Sequence, residues 1–188
     1  MKAVAYRPDP MTVDLRLSLA PPTPADIPEL LQFETANRAF FEARVNSRPA
    51  AYYSPEGVAA AIETAARDAA SDQGYQYLVR DAAGALVARV NLVRVRRAHF
   101  HSAELGYRVA EAACGRGVAS AAVRELLALA FGPLRLQRVE ANARAENLAS
   151  CRVLECNGFV AFGRSRRSFE LGGVWYDRVY YERHVTAA

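Results

Sequence analysis

The sequence predicts an α/β (α+β mixed sheet) fold, with about seven strands and four helices shared between the two faces of the sheet. Three observations predict it. Segments of period two and period 3.6 follow one another in the order strand, helix, helix, three strands, helix, strand, helix and a closing hairpin. A strand, a glycine loop, a helix and a strand fill residues 103–143, and such a unit joins two parallel strands. Gly172-Gly173 then divides two long strand-like runs, as a tight hairpin requires.

Residues 1–12 read as a loose N-terminal arm and residues 13–184 as one domain. Val13, Leu15, Leu17 and Leu19 alternate with Asp14, Arg16 and Ser18, the pattern of a half-buried strand. Pro21-Pro22-Thr23-Pro24 ends it. Thr23 with Asp26 resembles a capping box, and Pro24 suits a first helical position, so a helix is expected from there to about Arg38. A loop containing Pro49, Tyr52 and Tyr53 follows. Ser54-Pro55 opens a second helix, with Val58, Ile62, Ala65, Ala66 and Ala69 as its apolar stripe. These two helices are either a lid over substrate or ordinary packing on one sheet face.

Tyr75 to Val79 and Leu86 to Val95 form a hairpin about the turn at 81–84, with Arg94, Arg96 and Arg97 as a solvated rim. Ala103 to Val109 is the next strand and Val118 to Phe131 the next helix, stopped by Gly132-Pro133. Arg138 to Ala143 is a strand. Asn147 caps a short helix to Cys156, and Asn157-Gly158 closes it in the left-handed conformation. Phe159 to Leu171 and Val174 to Glu182 are the final hairpin.

With 188 residues, 52% hydrophobic and 23% charged, the chain has the composition of a folded soluble domain with a real core. It shows no signal-peptide core and no run of membrane-spanning length. Cys114, Cys151 and Cys156 make neither an even disulfide framework nor a metal-ligand spacing, which suits a reducing cytoplasm. The net charge is +4, and Lys2 is the sole lysine. Arginine suits phosphate and carboxylate ligands because its donors form a planar fork. The basic balance also admits an RNA-binding accessory protein, yet no RNA motif is visible and no direct nucleic-acid binding is expected.

The chemistry centres on Cys114-Gly115-Arg116-Gly117-Val118-Ala119-Ser120. Two glycines let the backbone turn and approach a bulky ligand. The first N–H groups of the helix that follows lack intrahelical partners, and with the helix dipole they form an anion site, beside which Arg116 adds charge. The run is neither a dinucleotide fingerprint nor a P-loop, since the third glycine and the Gly-Lys-Ser/Thr are missing. Asn147 and Ser150 share one helical face and can aim at one ligand, although both are also good helix-start residues.

The order of elements resembles the GCN5-related N-acetyltransferase (GNAT) superfamily. Gly117 and Ala119 match that family's pyrophosphate loop, while Cys114 stands where Gln or Arg is usual. Asn147, Ser150 and Asn157-Gly158-Phe159 match its next motif. Within the superfamily the chain is most similar to the ribosomal-protein-alanine N-acetyltransferase branch, through Asn37-Arg38-Ala39-Phe40-Phe41, Phe100 with Leu105-Gly106-Tyr107, Asn147-Leu148-Ala149-Ser150 and Gly173-Val174-Trp175-Tyr176-Asp177.

The resemblance implies acetyl-CoA as cosubstrate and a protein N-terminal α-amine, such as that of a ribosomal protein, as acceptor. A small amine (an antibiotic or a polyamine) is the alternative acceptor, and a non-catalytic acyl-CoA-binding protein the alternative class. It also implies that Tyr107, Arg108 and Val109 hold the pantetheine arm and carbonyl on a strand splayed from its neighbour. Residues 115–120 would then hold the pyrophosphate, Asn147 the pantetheine, and Ser150 would lie near the sulfur or phosphate. Many members carry a tyrosine acid where Leu154 stands, and some carry a glutamate base where Asn142 stands. Ser150 or an ordered water is therefore the candidate acid, unless the thiolate leaves unassisted, and Glu104 is the candidate base, with Glu140 on the same side as Asn142. A nucleophilic Cys114, made acidic by the helix end and Arg116, is a rival. No metal is expected; His99 and His101 share a face without a carboxylate ligand. A monomer or homodimer is compatible with all of this.

Overall fold

The computed structural model describes residues 15–186. Its strands are β1 (Ser18–Ala20), β2 (Tyr75–Arg80), β3 (Leu86–Arg96), β4 (Ser102–Val109), β5 (Arg138–Arg144), β6 (Val160–Leu171) and β7 (Val174–His184). Its α-helices are α1 (Ile27–Ala36), α2 (Arg38–Glu42), α3 (Pro55–Ala70), α4 (Val118–Phe131) and α5 (Leu148–Cys156). All seven strands make one sheet in the order β1-β2-β3-β4-β5-β7-β6. Every neighbouring pair is antiparallel except β4–β5, the parallel pair expected on either side of α4.

Strand alternation sends adjacent residues to opposite faces, and each face has its own core. Val79, Leu105, Val109 and Ala141 pack with Val118, Val123, Leu126 and Leu127 of α4 and Leu154 of α5. Leu78 faces the other way, into a smaller cluster with Leu30 and Phe33 of α1, Phe41 of α2, and Val58 and Ile62 of α3. The helices before β2 therefore cover one face and those after β4 the other.

The first strand is shorter than its alternating sequence suggests. Only Ser18–Ala20 pair with β2, against Arg80, Val79 and Leu78. Leu15 and Leu17 pack on the larger core without joining the ladder. Val13 and the expected N-terminal arm lie outside the described residues. The first expected helix is also divided, giving five α-helices rather than four. Thr23 and Asp26 do form the capping box, but around a 3-10 turn at Pro24–Asp26. The chain bends again at Asn37, whose Nδ2 donates to the Phe33 carbonyl at 2.8 Å and whose Oδ1 accepts from the Glu111 N–H at 2.8 Å. Asn37 thus ties the α1–α2 bend to the turn that precedes the glycine loop.

Arg94, Arg96 and Arg97 are not a bare rim. Arg97 pairs with Asp72 and donates to the Leu134 carbonyl, Arg96 faces Glu140 and Phe100, and Arg94 pairs with Glu104. Ser54 caps α3 through the Gly57 N–H, and Gly158 ends α5 at φ +75°. Gly172 and Gly173, both at positive φ, make the two-residue turn between Leu171 and Val174.

Candidate active site

The parallel ladder between β4 and β5 is short. It pairs Ser102, Ala103 and Glu104 with Arg138, Val139 and Glu140 and stops, although β4 continues to Val109 and β5 to Arg144. Beyond that point the facing backbone edges of the two strands carry no ladder, which leaves polar groups for a ligand to use.

At the end of β4 the chain makes a 3-10 turn at Glu111–Ala113 and enters the glycine loop. Gly115 has φ +72° and Gly117 φ +80°, a region that costs an L side chain roughly 1–2 kcal/mol. A side chain at Gly115 would meet nothing within 4 Å, and one at Gly117 would meet only Leu15, at 3.4 Å. Gly117 is the N-cap of α4 and no side chain caps this end. The first helical bond runs from the Ala121 N–H to the Gly117 carbonyl, so the N–H groups of Val118, Ala119 and Ser120 precede the ladder of the helix. Arg116 is exposed and forms no ion pair among the described residues. An exposed loop with free donors, no obstructing side chain and one unpaired cation fits a pyrophosphate group. The Ser120 hydroxyl is turned away, accepting from Asn157 Nδ2 at 3.1 Å and tying α4 to α5.

Cys114 is exposed and donates to the Ala110 carbonyl at 3.4 Å. Desolvation and then the charge of Glu111 hold its thiol above the ordinary value, against the pull of Arg44. The rival reading required the opposite shift, so a thiolate nucleophile is not favoured here.

Tyr107 faces α5 and packs on the larger core. Its phenol oxygen lies 2.8 Å from Ser150 Oγ, and burial pushes its pKa up to about 12. The ring of Tyr107 packs on the core while its hydroxyl meets Ser150 in the first turn of α5. Asn147 Oδ1 accepts from the Ser150 N–H at 3.2 Å, the cap that holds Ser150 in the first turn. Leu154 is buried, so the sequence position of the family tyrosine is filled by core.

On the opposite face of the same strands, Glu104 accepts from Asn142 Nδ2 at 2.6 Å and from Arg94 Nη1 at 2.5 Å. Both of its oxygens are engaged, but Arg94 is 79% exposed and easily displaced. Glu140 does share this side with Asn142. Both line a cavity of about 220 Å³ with Glu104, Phe162, Arg178 and Tyr180. His99 and His101 lie in the β3–β4 turn, both at positive φ. Among the described residues no three His, Cys, Asp or Glu side chains are grouped to hold a metal ion.

Arg108, next to Tyr107, points to the face of α1. There Glu34 is fully buried and paired with Arg48, Arg89 and Arg108. Burial alone would raise the Glu34 carboxyl, but the guanidinium groups of Arg89, Arg48 and Arg108 outweigh it and hold the carboxyl below its ordinary value. Arg108 also donates to the Asn46 carbonyl at 3.1 Å and so anchors the loop after α2. A second cavity, of about 420 Å³, opens between Asn46 and Ser47 of that loop and residues 168–172 with Trp175 of the closing hairpin. This charge hub escaped the sequence reading. Its one available signal was the position of Glu34, which shares the buried helical stripe of Leu30 and Phe33.

A mixed sheet that opens between its two parallel strands, beside an uncapped helix N-terminus, defines a class of acyltransferase fold. The chain belongs to the acetyltransferase (GNAT) domain family, whose pattern matches residues 16–160. It is 34% identical over 153 residues to YjcK of Bacillus subtilis, assigned by name as an N-acetyltransferase; the match covers 81% of this chain and 84% of that one. Two solved structures share the fold at lower identity. One is the ribosomal-protein-S5-alanine acetyltransferase of Vibrio fischeri, with TM-score 0.85, 20% identity and 97% of each chain covered. The other is the spermidine N-acetyltransferase of Vibrio cholerae in complex with CoA and spermine, with TM-score 0.77, 22% identity, 90% of this chain and 95% of that one. Among the described residues no helix is long and apolar enough to cross a membrane.

Proposed function

We propose that this acetyltransferase moves the acetyl group of acetyl-CoA to the N-terminal α-amine of a peptide or protein; the Vibrio fischeri neighbour is named for acetylating an alanine of ribosomal protein S5. The observation that carries the reading is the cavity beside the loop after α2. It is open, about 420 Å³ in volume, and its lining holds Glu170 as its only carboxylate. A polyamine carries several positive charges and calls for several acidic partners. The smaller cavity has two carboxylates, Glu104 and Glu140, but Glu104 is paired with Arg94 and Glu140 with Arg138.

Acetyl-CoA supplies an activated acyl group and a thiolate as the leaving group. In this reading the N–H groups of residues 115–120 and Arg116 hold its pyrophosphate, while the free edges of Tyr107, Arg108 and Val109 receive the pantetheine arm. Asn142 and Asn147 flank the gap, Asn142 through Glu104 and Asn147 through the Ser150 N–H. Ser150 Oγ, oriented by the Tyr107 phenol, donates to the sulfur as it gains charge. Glu104 takes the proton of the attacking amine. A peptide α-amine has an ordinary pKa of about 7.7–8.0, so roughly a tenth or more of it is already neutral near pH 7, far more than of a lysine side chain, and the demand on that base is modest.

The test is incubation with acetyl-CoA and two acceptor sets, N-terminal peptides of ribosomal proteins and the polyamines spermidine and spermine, read by free thiol release and mass spectrometry. Acetyl groups on peptide α-amines are expected. Transfer confined to the polyamines would overturn the reading, and thiol release from neither set would favour a non-catalytic acyl-CoA-binding protein.

A further inference from the structure

Arg108 and Arg144 occupy matching places on the two diverging strands. Each lies four residues beyond the last ladder pair, Glu104 with Glu140, and so on the same face as those glutamates. Each reaches the same loop: Arg108 Nη2 donates to the Asn46 carbonyl and Arg144 Nη2 to the Ala43 carbonyl, both at 3.1 Å. Their charges are treated differently. Arg108 is paired with Glu34 at 3.2 Å. Arg144 forms no ion pair among the described residues, and its Nε is buried without an acceptor.

The residue directly across the ladder from Arg144 is Arg178 of β7. It too forms no ion pair among the described residues. Like charges at facing positions of an antiparallel pair are unfavourable, and a buried guanidinium donor without an acceptor adds to the cost. Each arginine instead lies on a ring of the closing hairpin, Arg144 at 4.6 Å over Tyr176 and Arg178 at 4.4 Å over Phe169. The acid between Tyr176 and Arg178, Asp177, does not relieve them, being engaged by Arg164 at 2.7 Å and by the Arg167 N–H. Phe169 lines the larger cavity, and Arg178, which lies over its ring, lines the smaller.

We infer that Arg144 and Arg178 form a carboxylate subsite, which reads an acidic side chain within the first few residues of the acceptor peptide. The inference rests on the proposed peptide acceptor and names its chemistry. A carboxylate there would pair with the two guanidinium groups, separate the two like charges, and hold the peptide by charge-assisted hydrogen bonds. An extended peptide advances about 3.3 Å per residue, so an acid close behind the amine can stay on β5 and β7 while the amine enters the β4–β5 gap.

The test compares C-terminally amidated peptides that differ only in Asp against Asn, or Glu against Gln, at the second and third positions, with the amide removing the other carboxylate source. The wild-type protein should favour the acidic member by about tenfold or more in kcat/KM, expressed through KM with kcat little changed. R144Q and R178Q should each erode the preference while acetyl-CoA affinity is kept, and R144K should retain part of it. Because the first comparison uses wild-type protein, a variant that fails to fold does not remove the test. Equal rates on acidic and amide peptides would overturn the subsite and leave the peptide reading standing. Transfer to polyamines with no peptide acetylated would overturn both.

Discussion

At the scale of single residues, the proposed chemistry rests on two side-chain pairs on opposite faces of β4. The Tyr107–Ser150 pair lies on the α5 side and the Glu104–Asn142 pair on the other. If Ser150 is the proton donor, S150A should lower kcat by about a hundredfold, within the usual range for loss of a positioned acid, and leave acetyl-CoA affinity nearly intact. Y107F should cost less, since it removes the orienting phenol and keeps the ring that packs. Single-turnover rates with a saturating acceptor would separate the two, and a Y107F rate below that of S150A would make the phenol the donor. Glu104 predicts a pH signature. E104Q should lower turnover most below about pH 7, where the α-amine is largely protonated, and little near pH 9, where it is free. Parallel pH–rate curves for E104Q and wild type would remove Glu104 as the base.

At the scale of elements, the part proposed to grip the cosubstrate is backbone, and backbone conformation is what its glycines report. The helix at Val118–Phe131, the loop before it and the capped helix after Asn147 stand where the sequence puts them, because each carries local punctuation: Gly115 and Gly117 at positive φ, Asn147 as a cap, Gly158 as a stop. Local punctuation also misleads. The alternation of Val13 to Leu19 was legible but not its pairing, since the short β2 edge accepts only Ser18–Ala20. Asn37 breaks the first helix by a side-chain bond back to Phe33 and a second bond to Glu111, 74 residues away, which no window of sequence contains. The Arg144–Arg178 pairing and the Tyr107–Ser150 contact were hidden for the same reason. The loop yields a direct prediction. G117V places a branched side chain at φ +80°, against Leu15, in the N-cap of α4. Acetyl-CoA affinity by calorimetry should fall at least tenfold while thermal stability drops by roughly 1–2 kcal/mol, the cost of that backbone region. Unchanged affinity would mean that the diphosphate is held elsewhere.

At the scale of the whole molecule, one buried carboxylate joins parts that are far apart in the chain. Glu34 of α1 is paired with Arg48 of the loop after α2, Arg89 of β3 and Arg108 of β4, and Arg89 is held further by the Tyr52 hydroxyl and Gln76. Three cations share one anion, so removing the anion exposes each cation to the others in a place water hardly reaches. E34Q should therefore destabilise the fold by roughly 3–5 kcal/mol, as expected when one member of a buried ion pair is lost. In a domain of this size that corresponds to a fall in Tm of about 6–20 °C. The sign of the pH dependence follows from the shift. The folded-state carboxyl of Glu34 is held below its ordinary value of 4.5, so its contribution is complete above that pH and is lost as the pH falls through the depressed value. The Tm gap between wild type and E34Q should be constant from neutral pH down to about pH 5 and close as the pH falls further. The same hub holds Arg108, and Arg108 holds Asn46 at the cavity wall, so E34Q at a temperature where it is still folded should raise the acceptor KM more than the KM for acetyl-CoA. A Tm gap that widened toward acid would mean that the cluster is stabilised without the Glu34 charge.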